Sequence, residues 1–379
     1  MLALPDYPWD LLAPYAEQAT GHPDGLVDLS VGTPVDPTPT VVRDALCRAS
    51  DAPGYPQTYG TPALRAAVVE WFRRRWGIDT VDPDGVLPTI GSKELVAWLP
   101  TLLGLGADDA VVYPTLAYPT YDVGARLAGA ESIAADSLTA LGPRRVGLVW
   151  LNTPANPHGR VLPATHVANV VAWARERGAI VASDECYLEF GWDSQPVSVL
   201  DPAVNGGSLD GVLAVHSLSK RSNMAGYRAG FVAGDVSLVR RLLATRKHAG
   251  MMVPAPVQAA MAAALDDDPH VDDQRERYLT RRAVMWPAIE SVGFRIDHSE
   301  GGLYLWVTRD EHCWDTVAWF AARGILVAPG DFYGPRGSRH VRIALTATDE
   351  RVSAAAERLR PGAIGTKVPA RWPGRQHGR

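Results

Sequence analysis

The chain has 379 residues, 46% of them hydrophobic and 21% charged, and a formal net charge of −5. That is the composition of a globular enzyme of roughly two domains, and its acidic balance offers nothing to nucleic acid or an anionic membrane. No apolar run reaches the ~18 residues a membrane span needs, and residues 1–10 lack a basic segment followed by an apolar core.

A cytoplasmic protein is therefore expected. Cys47, Cys186 and Cys313 are too far apart for a zinc pattern or a disulfide framework, and no metal is expected. Residues 9–19 read as a short surface helix and 26–30 as a strand. The strand runs into Val31-Gly32-Thr33-Pro34, where glycine lets a backbone approach a ligand or simply makes a turn. Thr38-Pro39 opens a helix to about Ala49, with Pro39 at its first position. An irregular aromatic loop, 54–60, carries Tyr55. Thr61-Pro62 then opens a helix that Gly77 stops, and Leu64, Val68, Trp71 and Phe72 share its core face.

Residues 86–90 read as a strand, and Gly91-Ser92-Lys93-Glu94 as the turn into a helix. The free N–H groups of such a start suit an anion, although any helix begins this way. A strand at 110–113 precedes Tyr118, which could stack on a flat ring or only pack. The strand at 145–151 leads directly into the turn that carries Asn156. A helix at 167–176, ended by Gly178, returns the chain to a strand at 179–183 that finishes in Asp184-Glu185-Cys186-Tyr187. Cys186 reads as a small buried filler. The strand at 212–215 feeds Ser217-Leu218-Ser219-Lys220, Arg228 follows, and 231–233 resumes a strand. An amine at a strand end, among hydroxyls and an arginine, suits a cofactor with both an aldehyde and a phosphate. Pyridoxal 5′-phosphate is such a cofactor, and Lys220 would form its Schiff base. A solvated surface lysine is the plain alternative. Alternating strands and helices imply a mostly parallel sheet covered on both faces, with ligands at the carboxyl ends of its strands. Asn156, Asp184, Ser217 and Lys220 all fall at such ends.

From about residue 275 the texture changes to a charged helix at 274–291, strands near Phe294 and at 303–307, a helix at 316–323, strands at 325–330 and 340–345, and a last helix from Asp349. The domains expected are a large one at 41–275 and a smaller α+β one made of 1–40 and 276–360. Residues 361–379, with Lys367, Arg371, Arg375 and Arg379 among Pro and Gly, read as a disordered basic tail. Arg342 lies in an apolar strand, where a guanidinium needs an anion. A buried carboxylate or a bidentate substrate carboxylate would serve.

The order and spacing of Asn156-Pro157-His158-Gly159, Asp184 with Tyr187, Ser217-Leu218-Ser219-Lys220, Arg228 and Arg342 resemble the class I and II aminotransferases, over nearly all of 27–359. The resemblance implies an α/β protein of pyridoxal-phosphate fold type I, with a mostly parallel seven-stranded sheet in the large domain. It assigns Lys220 to the Schiff base and to proton shuttling, Asp184 to the pyridine nitrogen, and Tyr187 and Asn156 to the ring oxygen. Tyr118 would stack on the ring. Ser92, Lys93, Ser217, Ser219 and Arg228 would hold the phosphate. Tyr55 would reach the phosphate of a neighbouring subunit, which implies a homodimer. Arg342 would bind the substrate α-carboxylate with Gly32 and Asn156. His158, where many relatives have Thr, is a departure of little expected effect.

Four stretches, at 28–37, 118–129, 246–254 and 328–334, further resemble the N-succinyldiaminopimelate aminotransferases of actinobacteria, which serve lysine and diaminopimelate biosynthesis. They imply small amino-acid and keto-acid substrates and a ping-pong exchange with glutamate and 2-oxoglutarate. A long dianionic side chain would want extra cations, for which Arg246, Lys247, His248 and Arg336 are candidates. An aminotransferase of another amino acid and a C–S lyase on the same fold share the motif residues. A pyridoxal-phosphate-binding transcriptional repressor would need a DNA-binding domain ahead of this pattern, which begins within about 30 residues of the start.

Overall fold

The structure is a computed structural model, and it describes residues 4–5 and 7–360. The tail read at 361–379 lies outside the described residues. In chain order the strands are β1 (Val27–Asp28), β2 (Val86–Ile90), β3 (Ala110–Tyr113), β4 (Glu131–Ala134), β5 (Val146–Asn152), β6 (Ile180–Asp184), β7 (Val212–Ser217), β8 (Ala229–Gly234), β9 (Arg295–Ile296), β10 (Tyr304–Thr308), β11 (Ile325–Leu326), β12 (Ala328–Pro329) and β13 (His340–Ala344).

The larger sheet has seven strands in the order β2-β8-β7-β6-β5-β3-β4. Its central neighbours pair in parallel, and β8 alone runs antiparallel, to β2 on one side and β7 on the other. Strands covered on both faces read as continuous apolar runs, and every residue of β7 and β8 is buried. The period of two still divides them. Val212 and Ala214 of β7 and Phe231 and Ala233 of β8 face a layer with Leu64, Val68 and Phe72 from the helix Pro62–Trp76. Leu213, Val215 and Val232 face Leu95, Leu99, Tyr121 and Leu242, from three helices on the opposite side.

The helix Pro62–Trp76 is bounded as its sequence implies. Thr61 Oγ1 accepts from Leu64 N at 3.2 Å, Pro62 stands in the first turn, and Gly77 closes it at φ 66°. Pro39 differs from expectation. Its ψ of 145° is extended, so it caps the helix Thr40–Arg48 from outside. Strand β4 was not expected. It is an edge strand with Glu131 and Ala134 exposed, and it lacks the apolar pattern that marks its neighbours.

A second, antiparallel sheet has the order β12-β13-β10-β9, and β1 pairs with β11 in parallel as a separate ribbon. The expected single strand at 325–330 is thus split, with Val327 between a segment in the ribbon and one in the sheet. The N-terminal segment and the last helix close over the same core, which includes Leu29, Val317, Phe320, Ile343 and Val352. One 23-residue helix, Pro269–Ser291, runs unbroken through residues 275 and 276. Arg281 on this helix is clamped by Asp36 at 2.6 and 2.8 Å and by Asp349 at 2.6 Å. Among the described residues, no helix is long and apolar enough to cross a membrane.

Candidate active site

The parallel register brings the carboxyl ends of β5, β6 and β7 side by side. Asn152 is opposite Asp184, and Asp184 is opposite Val215. Asp184 is buried, and it accepts a hydrogen bond from the Tyr121 hydroxyl at 2.8 Å and one from Cys186 N at 3.2 Å. Burial pushes its carboxyl above the usual range, and the bonds from Cys186 and Tyr121 draw it back only in part. Among the described residues no lysine or arginine pairs with it. A cationic partner placed here would keep it ionised.

The turn after β5 is pinned by Asn152, whose amide donates to the Asp184 carbonyl at 2.9 Å while its oxygen accepts from Asn156 N at 2.8 Å. Two peptide bonds in this turn, Thr153–Pro154 and Asn156–Pro157, are cis. Asn156 in turn accepts from Arg342 Nη1 at 2.9 Å, and the Ser30 carbonyl accepts from Nη2 at 2.6 Å. Arg342 is only 3% exposed, its Nε has no partner, and the Tyr304 and Tyr333 rings lie 4.1 and 4.9 Å from its guanidinium. Among the described residues it has no carboxylate partner. The internal pairing left open by the sequence is therefore not made, and among these residues the guanidinium is a buried cation without a counter-charge.

Lys220 sits in the short helix Leu218–Arg221 directly after β7 and is half-buried. Burial, with Asp184 nearby, pushes the Cys186 thiol well up, while the Lys220 charge pulls it down. Ser217 and Ser219 are joined through their hydroxyls at 2.9 Å. Ser92 and Lys93 lie in the first turn of the helix Gly91–Leu102, where backbone N–H groups have no helical acceptor. A side chain at Gly91 (φ 70°) would fall 2.4 Å from Arg228 Nη2, and one at Gly230 would fall 2.9 Å from Ser92 N. Gly91, Ser92, Arg228 and Gly230 thus close on one small cradle. Among the described residues the Arg228 guanidinium donates only to the Ala225 carbonyl, at 2.8 Å. Tyr118 borders the cluster edge-on to Tyr121 at 6.0 Å, and burial raises its hydroxyl to about 12. Tyr55 is 99% exposed. The Lys93 ammonium turns to the Tyr7 ring, 5.9 Å away.

This set fits pyridoxal phosphate. A buried carboxylate lacks a cation, an amine stands at the next strand end, and a cradle of N–H groups, hydroxyls and an arginine suits a phosphate. Gly32 is required as well, because a Cβ there would lie 2.4 Å from the Tyr304 hydroxyl.

Three residues were missed. Tyr121 stacks on Trp150 at 4.9 Å and donates to Asp184. Tyr304 shares a hydroxyl–hydroxyl bond of 2.8 Å with Tyr187, and Tyr333 faces Arg342. In sequence Tyr304 is a tyrosine in an apolar stretch and Tyr121 and Tyr333 lie in mixed turn segments, where packing is the ordinary reading. Pairing the strand at 303–307 with the one at 340–345 would have brought Tyr304 next to Arg342.

Two of the four extra cations are corrected by the structure. Arg246 is fully buried and bidentate to Glu94, at 2.7 and 3.0 Å, so it has no charge to offer a substrate. Arg336 pairs with Asp136 at 2.7 Å. Lys247 and His248 are exposed at the end of the helix Val236–Ala249. Cys313 is gathered with His312 and Asp331, their ligand-type atoms within 4.8 Å. Burial pushes its thiol up to about 12, which keeps it protonated at neutral pH.

Residues 24–359 match the family model "Aminotransferase class I and II". A 4-dedimethylamino-4-oxo-anhydrotetracycline transaminase of Streptomyces rimosus is 62% identical over 359 residues, covering 95% of this chain and 100% of the relative. A probable aminotransferase of Mycobacterium tuberculosis is 64% identical over 357 residues, covering 94% and 85%. Among solved structures, a probable N-succinyldiaminopimelate aminotransferase of Thermus thermophilus superposes with a TM-score of 0.83 at 27% identity, covering 93% of this chain and 99% of that one.

Proposed function

The chain belongs to the class I and II aminotransferases, which depend on pyridoxal phosphate, and from that premise we propose that it transfers the amino group of an amino acid whose α-carboxylate is read by Arg342. The observation that carries this reading is the buried Arg342 guanidinium, held by Asn156 and the Ser30 carbonyl with no carboxylate partner among the described residues. When bound, the cofactor supplies an electron sink for the charge left on the substrate α-carbon.

The chain's own residues do the rest. Lys220 anchors the cofactor and, once released, carries the proton that leaves the α-carbon. Asp184 keeps a proton on the pyridine nitrogen. A raised carboxyl pKa without a cation is consistent with that task, because the pyridinium would restore the ionised form. Tyr187 and Asn156 donate to the ring oxygen, and Tyr118 packs on the ring face. Ser92 and Lys93 N–H, Ser217, Ser219 and Arg228 hold the phosphate. Gly32 and Asn156 complete the carboxylate site with Arg342. Tyr55 reaches the site of a second subunit in a homodimer. Its 99% exposure in the single chain supports that place, since an aromatic ring bare to solvent gains most from a partner.

The substrate pair proposed is N-succinyl-L,L-diaminopimelate with 2-oxoglutarate. Its support is the sequence resemblance and the name of the Thermus structural neighbour. A second reading comes from the Streptomyces relative, named for a 4-oxo-anhydrotetracycline. It is favoured by the loss of Arg246 and Arg336 as distal carboxylate ligands. A single-turnover spectrum separates the two. Glutamate alone and N-succinyl-L,L-diaminopimelate alone should each bleach the visible band of the lysine-bound cofactor, and 2-oxoglutarate should restore it. Bleaching by glutamate only discards the succinyl substrate and keeps the transaminase. Bleaching by neither, with the band present, discards both and favours a lyase.

A further inference from the structure

Tyr304 is the point where the proposed ring-oxygen site and the proposed carboxylate site meet. It lies in β10, is 4% exposed, and belongs to the smaller sheet, whereas Tyr187 follows β6 of the larger one. Its hydroxyl is 2.8 Å from that of Tyr187, with the rings edge-on at 5.6 Å. Its ring face lies 4.1 Å from the Arg342 guanidinium. Its hydroxyl also fills the space a side chain would need at Gly32. The titratable groups around it are Tyr187, Tyr118, Tyr278, Tyr333 and Arg342, and no carboxylate hydrogen-bonds to it among the described residues.

In the Tyr187–Tyr304 bond alone, either hydroxyl can donate. An anionic ring oxygen in front of Tyr187 removes that freedom. Tyr187 turns its proton to the anion, and Tyr304 is left to donate to the Tyr187 oxygen. A donor that itself accepts a hydrogen bond is polarised and becomes a stronger donor. We infer that Tyr304 is a positioning residue: its hydroxyl orients and strengthens Tyr187 as donor to the ring oxygen, and its ring face holds the Arg342 guanidinium for the α-carboxylate.

This inference rests on the pyridoxal-phosphate reading, and its test separates the two. A donor to the ring oxygen withdraws charge that would otherwise hold the proton on the Lys220 nitrogen. Losing the Tyr304 hydroxyl should therefore move the titration of the visible band to higher pH. For Tyr304→Phe the expected shift is about half a unit to one unit, the size of one hydrogen bond, with kcat lowered several-fold and KM for the amino donor little changed. Tyr304→Leu, which also removes the ring, should raise KM. In a Tyr187→Phe background, adding Tyr304→Phe should produce no further spectral shift. Coincident titrations of Tyr304→Phe and wild type would overturn the inference, as would a shift that persists undiminished in the Tyr187→Phe background. A fall in Tm with no spectral change would reduce Tyr304 to packing. A wild-type protein that shows no visible band with added cofactor would instead sink the functional reading and this inference with it.

Discussion

Arg246 and Arg342 are both closed off from solvent, and they lie in opposite kinds of surroundings. Arg246 meets Glu94 through two bonds and belongs to a finished pair between the helices Gly91–Leu102 and Val236–Ala249. Among the described residues Arg342 donates to an amide oxygen and a backbone carbonyl, is flanked by the Tyr304 and Tyr333 rings, and meets no carboxylate. A buried charge without a counter-charge costs several kcal/mol, which an anion bound from outside would offset. The same contrast runs through the whole molecule. The Arg281–Asp36–Asp349 clamp is complete in itself, whereas Asp184, Lys220 and Arg228 wait at the edge of the larger sheet without ionic partners among the described residues. Matched charges hold the fold, and these unmatched ones gather at the candidate site.

Substitutions can break that contrast. The largest effect is expected for Lys220→Ala, which should abolish the visible cofactor band and lower turnover by about a thousandfold or more with little change in Tm. Normal turnover would end the proposed chemistry. Arg342→Ala should lower kcat/KM for amino acids on the order of a hundredfold, the loss of a buried carboxylate clamp. An unchanged KM would show that the guanidinium serves packing instead. Arg246→Ala should act the other way. It leaves Glu94 without its cation, so stability should fall by about 3 kcal/mol in denaturant unfolding, while the relative preference among amino donors stays put. A change in that preference would return Arg246 to the substrate.

The smallest expected effect concerns His158. Burial in the turn, with His298 and Arg160 nearby, pushes it down from 6.5 to about 3. Between those values the unfolded chain binds a proton that the folded chain refuses, so folding loses stability as pH falls below 6.5 towards 3. His158→Gln should flatten the pH dependence of Tm in that window, by on the order of 2 °C. Parallel curves would show that the imidazole titrates normally in the fold.

Much of the candidate site was legible because its residues stand at the ends of strands with strong apolar patterns. Asp184 and Lys220 each end such a run, and a parallel sheet sets those ends side by side. Arg342 was legible as an arginine in an apolar strand, although its partner was not. What stayed hidden depends on distance along the chain. Arg246 and Glu94 are 152 residues apart, and no local pattern reports that pairing. Tyr304 and Tyr187 are 117 apart, and tyrosine in a strand reads as packing until a second hydroxyl faces it. Strand β4 was hidden for another reason. Exposed at the edge, it carries neither the apolar run of a central strand nor a clear alternation.

The helix Pro269–Ser291 has a mechanical consequence. At 1.5 Å per residue it is a rod of about 34 Å. Near its start Gln274 bonds to Asn223, behind the Lys220 segment, and Met285 and Ile289 near its end are embedded in the core of the smaller sheet. The helix therefore ties the backing of the Lys220 segment to the core of the smaller sheet, with the Arg281 clamp between the two anchor points. A tilt of about 5° about the Gln274 contact would move the far end of such a rod, 17 residues on, by about 2 Å. That is close to the difference between a carboxylate hydrogen-bonded to Arg342 and one just out of reach.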